Sequence, residues 1–345
     1  MYFRQRKAHS NTLIVNDFEK YSYVFNKCFL TNRSAVNMRD LTQRIEYLNN
    51  NKLTGKLQKG FIEDLYAPNN DDDIQEGERV FYTNINAKII DNLRRQVKSY
   101  DWHCLAPLLY KASVHNNTSG VFKGFYSEKK RKEAEEKKTY EKKTNTFEVT
   151  EKKDDDSPRL GKFGGKAENC LQRIKGEITL DIPIFSDYEC YVDYFHEDTN
   201  QLVKNLYEVD FAYYDPPYNQ HPYGSNYFML NLIADYKKPD VEQISKVSGI
   251  PKGWNQSSYN KRQEVSNALD KLIKDTPAKI IALSYSSGGF LTQEQIIDIL
   301  KKYGKVSIEE QDYVAYRAGK NLRDKEGNLT RSTKVKEFLF LLRKK

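Results

Sequence analysis

Residues 211–230 read FAYYDPPYNQHPYGSNYFML, an apolar run that stops at Asp215 and gives way to Pro216, Pro217 and Tyr218. Two consecutive prolines fix φ, offer no N–H donors and push Asp215 into an extended conformation, so the chain continues there neither as helix nor as ladder strand. The segment VDFAYYD at 209–215 has the composition of a buried strand, and in open α/β sheets ligands sit beyond the carboxyl ends of the strands. Two readings of the tetrapeptide are open. One is a proline turn at a strand end, the commoner use of a bare Pro-Pro pair. The other is a rigid mount for a planar base: Asp215 accepts a hydrogen bond from an exocyclic amine, the Pro216 carbonyl accepts a second, and Tyr218 stacks on the ring. Such a mount holds the nitrogen in line with an electrophile and needs no covalent intermediate.

Working outward, the chain from 177 to its end predicts strands at ITLDIPIF, YECYVDYF, VDFAYYD, KIIALSYS, VSIEEQDYVAYR and VKEFLFLLR, with helices at 198–206, 225–236, 257–275 and 292–302 between them. Strands alternate with helices until two closing strands, the arrangement of an α/β sheet ending in a hairpin. Towards the N-terminus, TLIV at 12–15 predicts a strand feeding a helix with Phe18, Tyr21, Val24 and Phe25 at helical spacing. Further helices are predicted at 37–50, 56–66, 83–99 and 101–112, around an acidic loop NNDDDIQEGE. Residues 127–157 carry ten basic and ten acidic residues and almost nothing apolar, so they predict a solvated helix or a flexible insertion.

At 345 residues, 38% hydrophobic and 30% charged, the chain is long enough for one large domain or two ordinary ones. The charges of the 127–157 stretch cancel, so the net +8 belongs to the rest of the chain and favours a polyanionic partner. Cys28, Cys104, Cys170 and Cys190 lack Cys-x-x-Cys spacing, which argues against zinc and against a disulfide framework. His115 and His196 show no metal-ligand spacing, and no metal is expected. No apolar run approaches the roughly 20 residues of a membrane span, and MYFRQRKAHS lacks a signal core. A cytoplasmic location is the expectation.

Asp-Pro-Pro-Tyr after an apolar strand, followed by NQHPYGSNYFMLNLI, closely resembles the catalytic motif of adenine-specific (amino-group) DNA methyltransferases that use S-adenosylmethionine. Other stretches match that family in order, and the resemblance covers nearly the whole chain apart from the charged insertion. LIVNDFEKYSY at 13–23 resembles its acidic motif, which implies Asp17 on the cofactor's ribose hydroxyls; a helix N-cap is the ordinary alternative. HEDTNQLV at 196–203 resembles the segment before the catalytic strand, which implies Asp198 at the cofactor's adenine, again with an N-cap as the alternative. The implied cofactor set is Asp17, Asp198 and Asp215, and the implied catalytic set is Asp215, Pro216, Pro217 and Tyr218. KIIALSYSSGGF at 279–290 resembles the strand whose Ser284-Tyr285 end walls the target-base pocket. HNNTSGVFKGFY at 115–126 and GKFGGKAENCLQRI at 161–174 resemble the target-recognition region, so Lys123, Lys162, Lys166 and Arg173 are candidate DNA contacts; ordinary solvated loop cations are the alternative.

The resemblance implies a Rossmann-like S-adenosylmethionine-dependent sheet, N-terminally incomplete, with an inserted and largely helical recognition region. The expected boundaries are 1–35 for the N-terminal part, 36–176 for recognition with the charged insertion at 127–160, and 177–345 for the catalytic domain. The implied reaction is methylation of the adenine N6 amine in double-stranded DNA, as the modification partner of a cognate restriction endonuclease. Asp215 favours adenine over the cytosine-N4 and glutamine relatives, whose tetrapeptides usually begin with Ser and Asn; an RNA adenine target is a further alternative. The family's F-x-G-x-G turn is expected roughly 20 residues before the acidic motif, yet MYFRQRKAHSNTL contains no glycine. The expectations that follow are a truncated or frameshifted frame, a late start, or an upstream polypeptide carrying the motif. A catalytically impaired DNA-binding remnant is the contrasting reading.

Overall fold

The computed structural model describes residues 11–54, 58–128, 160–165, 169–314 and 334–345. Lys166 and all but the ends of the expected insertion lie outside them. In chain order the elements are β1 (Thr12–Asn16), α1 (Lys20–Phe29), α2 (Met38–Asn50), α3 (Phe61–Tyr66), α4 (Asn84–Gln96) and α5 (Trp102–Val114). There follow β2 (Ser127–Glu128), β3 (Leu160–Gly161), α6 (Cys170–Lys175), β4 (Tyr191–Phe195), α7 (Thr199–Leu202) and β5 (Val209–Tyr214). The remainder comprises α8 (Tyr223–Asn226), α9 (Phe228–Asp235), α10 (Val265–Asp275), β6 (Ala278–Ser286), α11 (Gln293–Lys301), β7 (Gly304–Val314) and β8 (Lys334–Lys344). The chain divides into two compact units: Met1–Val15, Glu19–Phe195 and Gly224–Trp254 in one, and Asn16–Phe18, His196–Tyr223 and Asn255–Lys345 in the other.

The first unit is mostly helical around one core. In α2, Asn37 caps the first turn by accepting from the Asp40 amide, and Leu41, Ile45 and Leu48 recur every three or four residues on its buried face. In α4, the Thr83 hydroxyl accepts from the Asn86 amide, and Ile89, Ile90 and Leu93 go inward. The predicted strand ITLDIPIF is corrected here: residues 178–185 form no strand and join no sheet among the described residues. Pro183 removes a donor, and side chains satisfy other backbone groups. The Ile178 amide donates to Asn86 Oδ1 at 2.9 Å and the Leu180 amide to Asn49 Oδ1 at 2.8 Å. These side chains take the place of a neighbouring strand.

The second unit holds a four-stranded sheet in the order β5-β6-β8-β7. β5 and β6 run parallel, from Val209 beside Ala278 to Tyr214 beside Leu283. The crossover between them contains α10, as a parallel connection requires. β8 is antiparallel to both β6 and β7, so the last two strands form the expected hairpin. Ile281, Leu283, Phe340 and Leu342 from the strands pack with Leu269, Leu272, Ile296 and Leu300 from α10 and α11. Full burial of each such side chain is worth roughly 1.5–3 kcal/mol. That core fixes the carboxyl ends of β5 and β6, where the candidate residues sit.

Candidate active site

β5 ends at Tyr214, and the next four residues are Asp215, Pro216, Pro217 and Tyr218. Tyr214 is tethered by its hydroxyl to Thr276 Oγ1 at 2.7 Å, while Thr276 donates to the Leu272 carbonyl at the end of α10. The residue before the candidate acid is thus held by side chain and by sheet. On the other side, the Phe290 amide donates to the Tyr218 carbonyl at 2.9 Å. The Tyr218 ring meets Tyr285 edge-on, with centroids 6.1 Å apart. Tyr285 is buried at the end of β6, and its hydroxyl accepts from the Leu291 amide at 3.3 Å. Ser284, one residue earlier, pairs with Leu339 of β8. The strand ends expected to share a site therefore do lie together.

Asp215 keeps part of its surface open, but the protein around its carboxyl raises its pKa above the ordinary 3.8. The charge of Glu337 on β8 raises it further. The segment 257–262 is tied to the residue that follows the tetrapeptide: Asn260 Nδ2 donates to the Asn219 carbonyl at 2.8 Å, and the Arg262 guanidinium lies 4.7 Å from the centre of the Phe290 ring. Phe290 closes the stretch 279–290 already matched to the family, whereas Glu337, Asn260 and Arg262 carry no local motif and arrive from other parts of the chain.

Asp17 follows directly on β1 and is half-buried; the N-cap of α1 is Glu19, so Asp17 does not fill that place. Asp198 does cap a helix, its Oδ1 accepting from the Asn200 amide at 2.8 Å at the start of α7. Asn16 ties the two acidic loops together. Its Nδ2 donates to the Glu197 carbonyl at 3.0 Å and to Thr199 Oγ1 at 2.9 Å, and its Oδ1 accepts from the Glu197 amide at 3.0 Å. Two carboxylates on loops pinned to one another fit a ligand rich in hydroxyl and amine donors.

In the first unit, the stretches 115–126 and 161–165 lie side by side. Ser127 pairs with Gly161 and Glu128 with Leu160. Asn117, fully buried, is the organising residue: Nδ2 donates to the carbonyls of Val80 and Lys162 at 2.8 and 2.9 Å, and Oδ1 accepts from the Gly164 amide at 3.1 Å. Lys123 is on the surface, beside a cavity of about 300 Å³ lined also by Phe125 and Tyr126; partial burial lowers its pKa. The backbone of Lys162 is fixed between Asn117 and Tyr126. Arg173 is half-exposed in the last turn of α6. Its guanidinium donates to the Val114 carbonyl at the end of α5, and its own carbonyl lies 2.7 Å from His115 Nδ1.

The four cysteines are buried and unbridged. Among the described residues, no cluster of three or more His, Cys, Asp or Glu side chains suits a metal, and no helix is long and apolar enough to cross a membrane.

The sequence model of the D12 class N6 adenine-specific DNA methyltransferases matches residues 179–330. The type II methyltransferase M.NlaIII of Neisseria lactamica is 27% identical, over 99% of this chain and 87% of its own length. The type II methyltransferase M.CviAII of Paramecium bursaria Chlorella virus 1 is 28% identical, over 88% of this chain and 78% of its own. The type II methyltransferase M.FokI of Planomicrobium okeanokoites is 30% identical over 53% of this chain, which is 27% of its own length. No solved structure matches the chain.

Proposed function

We propose, from the premise that this chain belongs to the D12 class of N6 adenine-specific DNA methyltransferases, that Asp215, Pro216, Pro217 and Tyr218 hold a flipped adenine for methylation at N6. The chain is an adenine-specific DNA methyltransferase of the restriction-modification kind, and DNA is its substrate. Duplex DNA buries the N6 amine in base pairing, so the target nucleotide must leave the stack at a cost of a few kcal/mol. The observation that carries the assignment is the fixing of the tetrapeptide from both sides, by Tyr214 on Thr276 and by the Phe290 amide on the Tyr218 carbonyl.

In this reading the ionised Asp215 carboxylate accepts one N6 hydrogen and the Pro216 carbonyl accepts the other. Both acceptors stabilise positive charge as it develops on the nitrogen. The Tyr218 ring stacks on the base, and Tyr285 supports it edge-on. Ser284 and Tyr285 form the wall of this pocket. Proton loss from N6 after transfer is eased by the same acceptors.

Methyltransferases of this family generally use S-adenosylmethionine, which supplies an electrophilic methyl group. Asp17 fits its ribose hydroxyls, and the Asp198 oxygen not spent on Asn200 fits its adenine, with Asn16 setting the two loops in register. Asp215 completes the set where cofactor and base meet. The sheet of the second unit is read as part of a Rossmann-like methyltransferase fold. Residues 36–176 serve as the recognition region, flanked by an N-terminal part at 1–35 and a catalytic part at 177–345. Within recognition, Lys123, Lys162 and Arg173 meet DNA from adjoining loops, and Lys166 is the further cation expected there; Arg173 also braces those loops through the Val114 carbonyl. A cognate restriction endonuclease is the companion this reading calls for, in the cytoplasm. Calorimetric titration of the chain with S-adenosylmethionine, for wild type and Asp17→Asn, reads whether these carboxylates hold the cofactor.

The central experiment is methyl incorporation into unmethylated duplex DNA by wild type and Asp215→Asn. Asparagine keeps the shape and loses the charge, so kcat is expected to drop on the order of 100-fold or more. An unchanged kcat would remove Asp215 from the mechanism.

A further inference from the structure

Arg262 is exposed, yet its placement is not that of an ordinary solvated cation. The guanidinium lies 4.7 Å from the centre of the Phe290 ring. Among the described residues it makes no ion pair and no hydrogen bond. Glu264, two residues on, pairs instead with Lys261 at 2.9 Å. A planar guanidinium resting on a ring keeps the N–H fork at its edge open, and that fork matches two oxygens of a phosphodiester.

The mount is rigid and is joined to the catalytic tetrapeptide. Tyr259 is buried, with its hydroxyl donating to Asn200 Oδ1 at 2.9 Å and its amide held by Ser257 Oγ at 3.3 Å. Asn260 bonds to the carbonyl of Asn219, the residue after Tyr218. Phe290, beneath the guanidinium, bonds through its amide to the carbonyl of Tyr218 itself. Arg262 is therefore fixed relative to Tyr218 by two independent links, and its charge is felt at the Tyr285 hydroxyl.

The local electrostatics call for such a cation. Asp215 and Glu337 stand close enough for one to hinder the ionisation of the other. An extruded nucleotide rotates about its backbone, so a strand phosphate approaches this negative mouth as the base enters. We propose that Arg262 grips a backbone phosphate of the DNA strand carrying the target adenine and so positions the flipped nucleotide over Tyr218. This rests on the adenine-holding role of the tetrapeptide.

The test uses the full chain and long, unmethylated, mixed-sequence duplex DNA, with steady-state methylation measured across a salt series for wild type, Arg262→Ala and Arg262→Lys. Removal of one phosphate contact is expected to raise KM about tenfold, to reduce the log–log dependence of KM on salt by about one unit, and to leave kcat far less affected. Arg262→Lys restores the salt dependence, since the charge returns, but only part of the affinity, since the fork does not. If wild type methylates the duplex while a folded Arg262→Ala keeps its KM and salt dependence, the phosphate contact is overturned and the tetrapeptide reading stands. A lysine variant whose salt dependence stays as low as that of alanine also overturns it, leaving packing on Phe290 as the role. Failure of wild type to methylate duplex DNA overturns both.

Discussion

Asp215 does its work as a charged acceptor, and only the ionised carboxylate opposes the positive charge that develops on the amine. Burial and the Glu337 charge both hold its pKa above 3.8, so the fraction ionised falls at a higher pH than for an ordinary aspartate. The acid limb of the methylation profile is therefore displaced upward. Glu337→Gln removes the second cause and leaves the first, so the limb is expected to move to lower pH without returning to the ordinary value. Initial rates across the acid range check this, and a limb that does not move would exclude the coupling. The sequence displays Asp215 because two prolines and a strand announce it, whereas Glu337 sits in the last strand, 122 positions away, and meets it only through the pairing of β8 with β6.

At the scale of elements, Asn117 shows how a single buried amide organises two loops. It links Val80, Lys162 and Gly164, so the stretches 115–126 and 161–165 share one scaffold. Asn117→Ala leaves two carbonyls and an amide without their partner, which is expected to cost about 2–4 kcal/mol in urea unfolding. A loss below about 1 kcal/mol would show that water or a neighbour replaces the amide. The start of α11 was legible because caps and spacing are local, the Thr292–Gln295 capping box opening it where the pattern places it, whereas the helix expected over 257–275 begins only at Val265. ITLDIPIF was misread because its apolar content suits a strand, while the partners that claim its amides, Asn49 and Asn86, lie in distant helices. The predicted helix at 225–236 also proved to be two pieces, α8 and α9, ending at Tyr236 with φ 50°. Arg94 closes that end, donating to the carbonyls of Ile233 and Ala234 at 2.6 and 3.2 Å.

Over the whole molecule, the net charge of +8 is the property most directly tied to a polyanionic substrate. Binding to a labelled duplex of arbitrary sequence, followed by fluorescence anisotropy, is expected to weaken roughly 10³-fold between about 50 and about 200 mM salt if six or more phosphates are contacted. A change under about tenfold would contradict a broad electrostatic footprint. By itself the sequence determined the alternation of strands and helices, the closing hairpin, and the residue types able to hold an exocyclic amine, because periodicity, prolines and caps act over a few residues. Tertiary structure alone decided which side chains bear on that site. Glu337, Phe290, Asn260 and Arg262 surround the tetrapeptide because the order β5-β6-β8-β7 and the anchored 257–262 segment bring separate parts of the chain together.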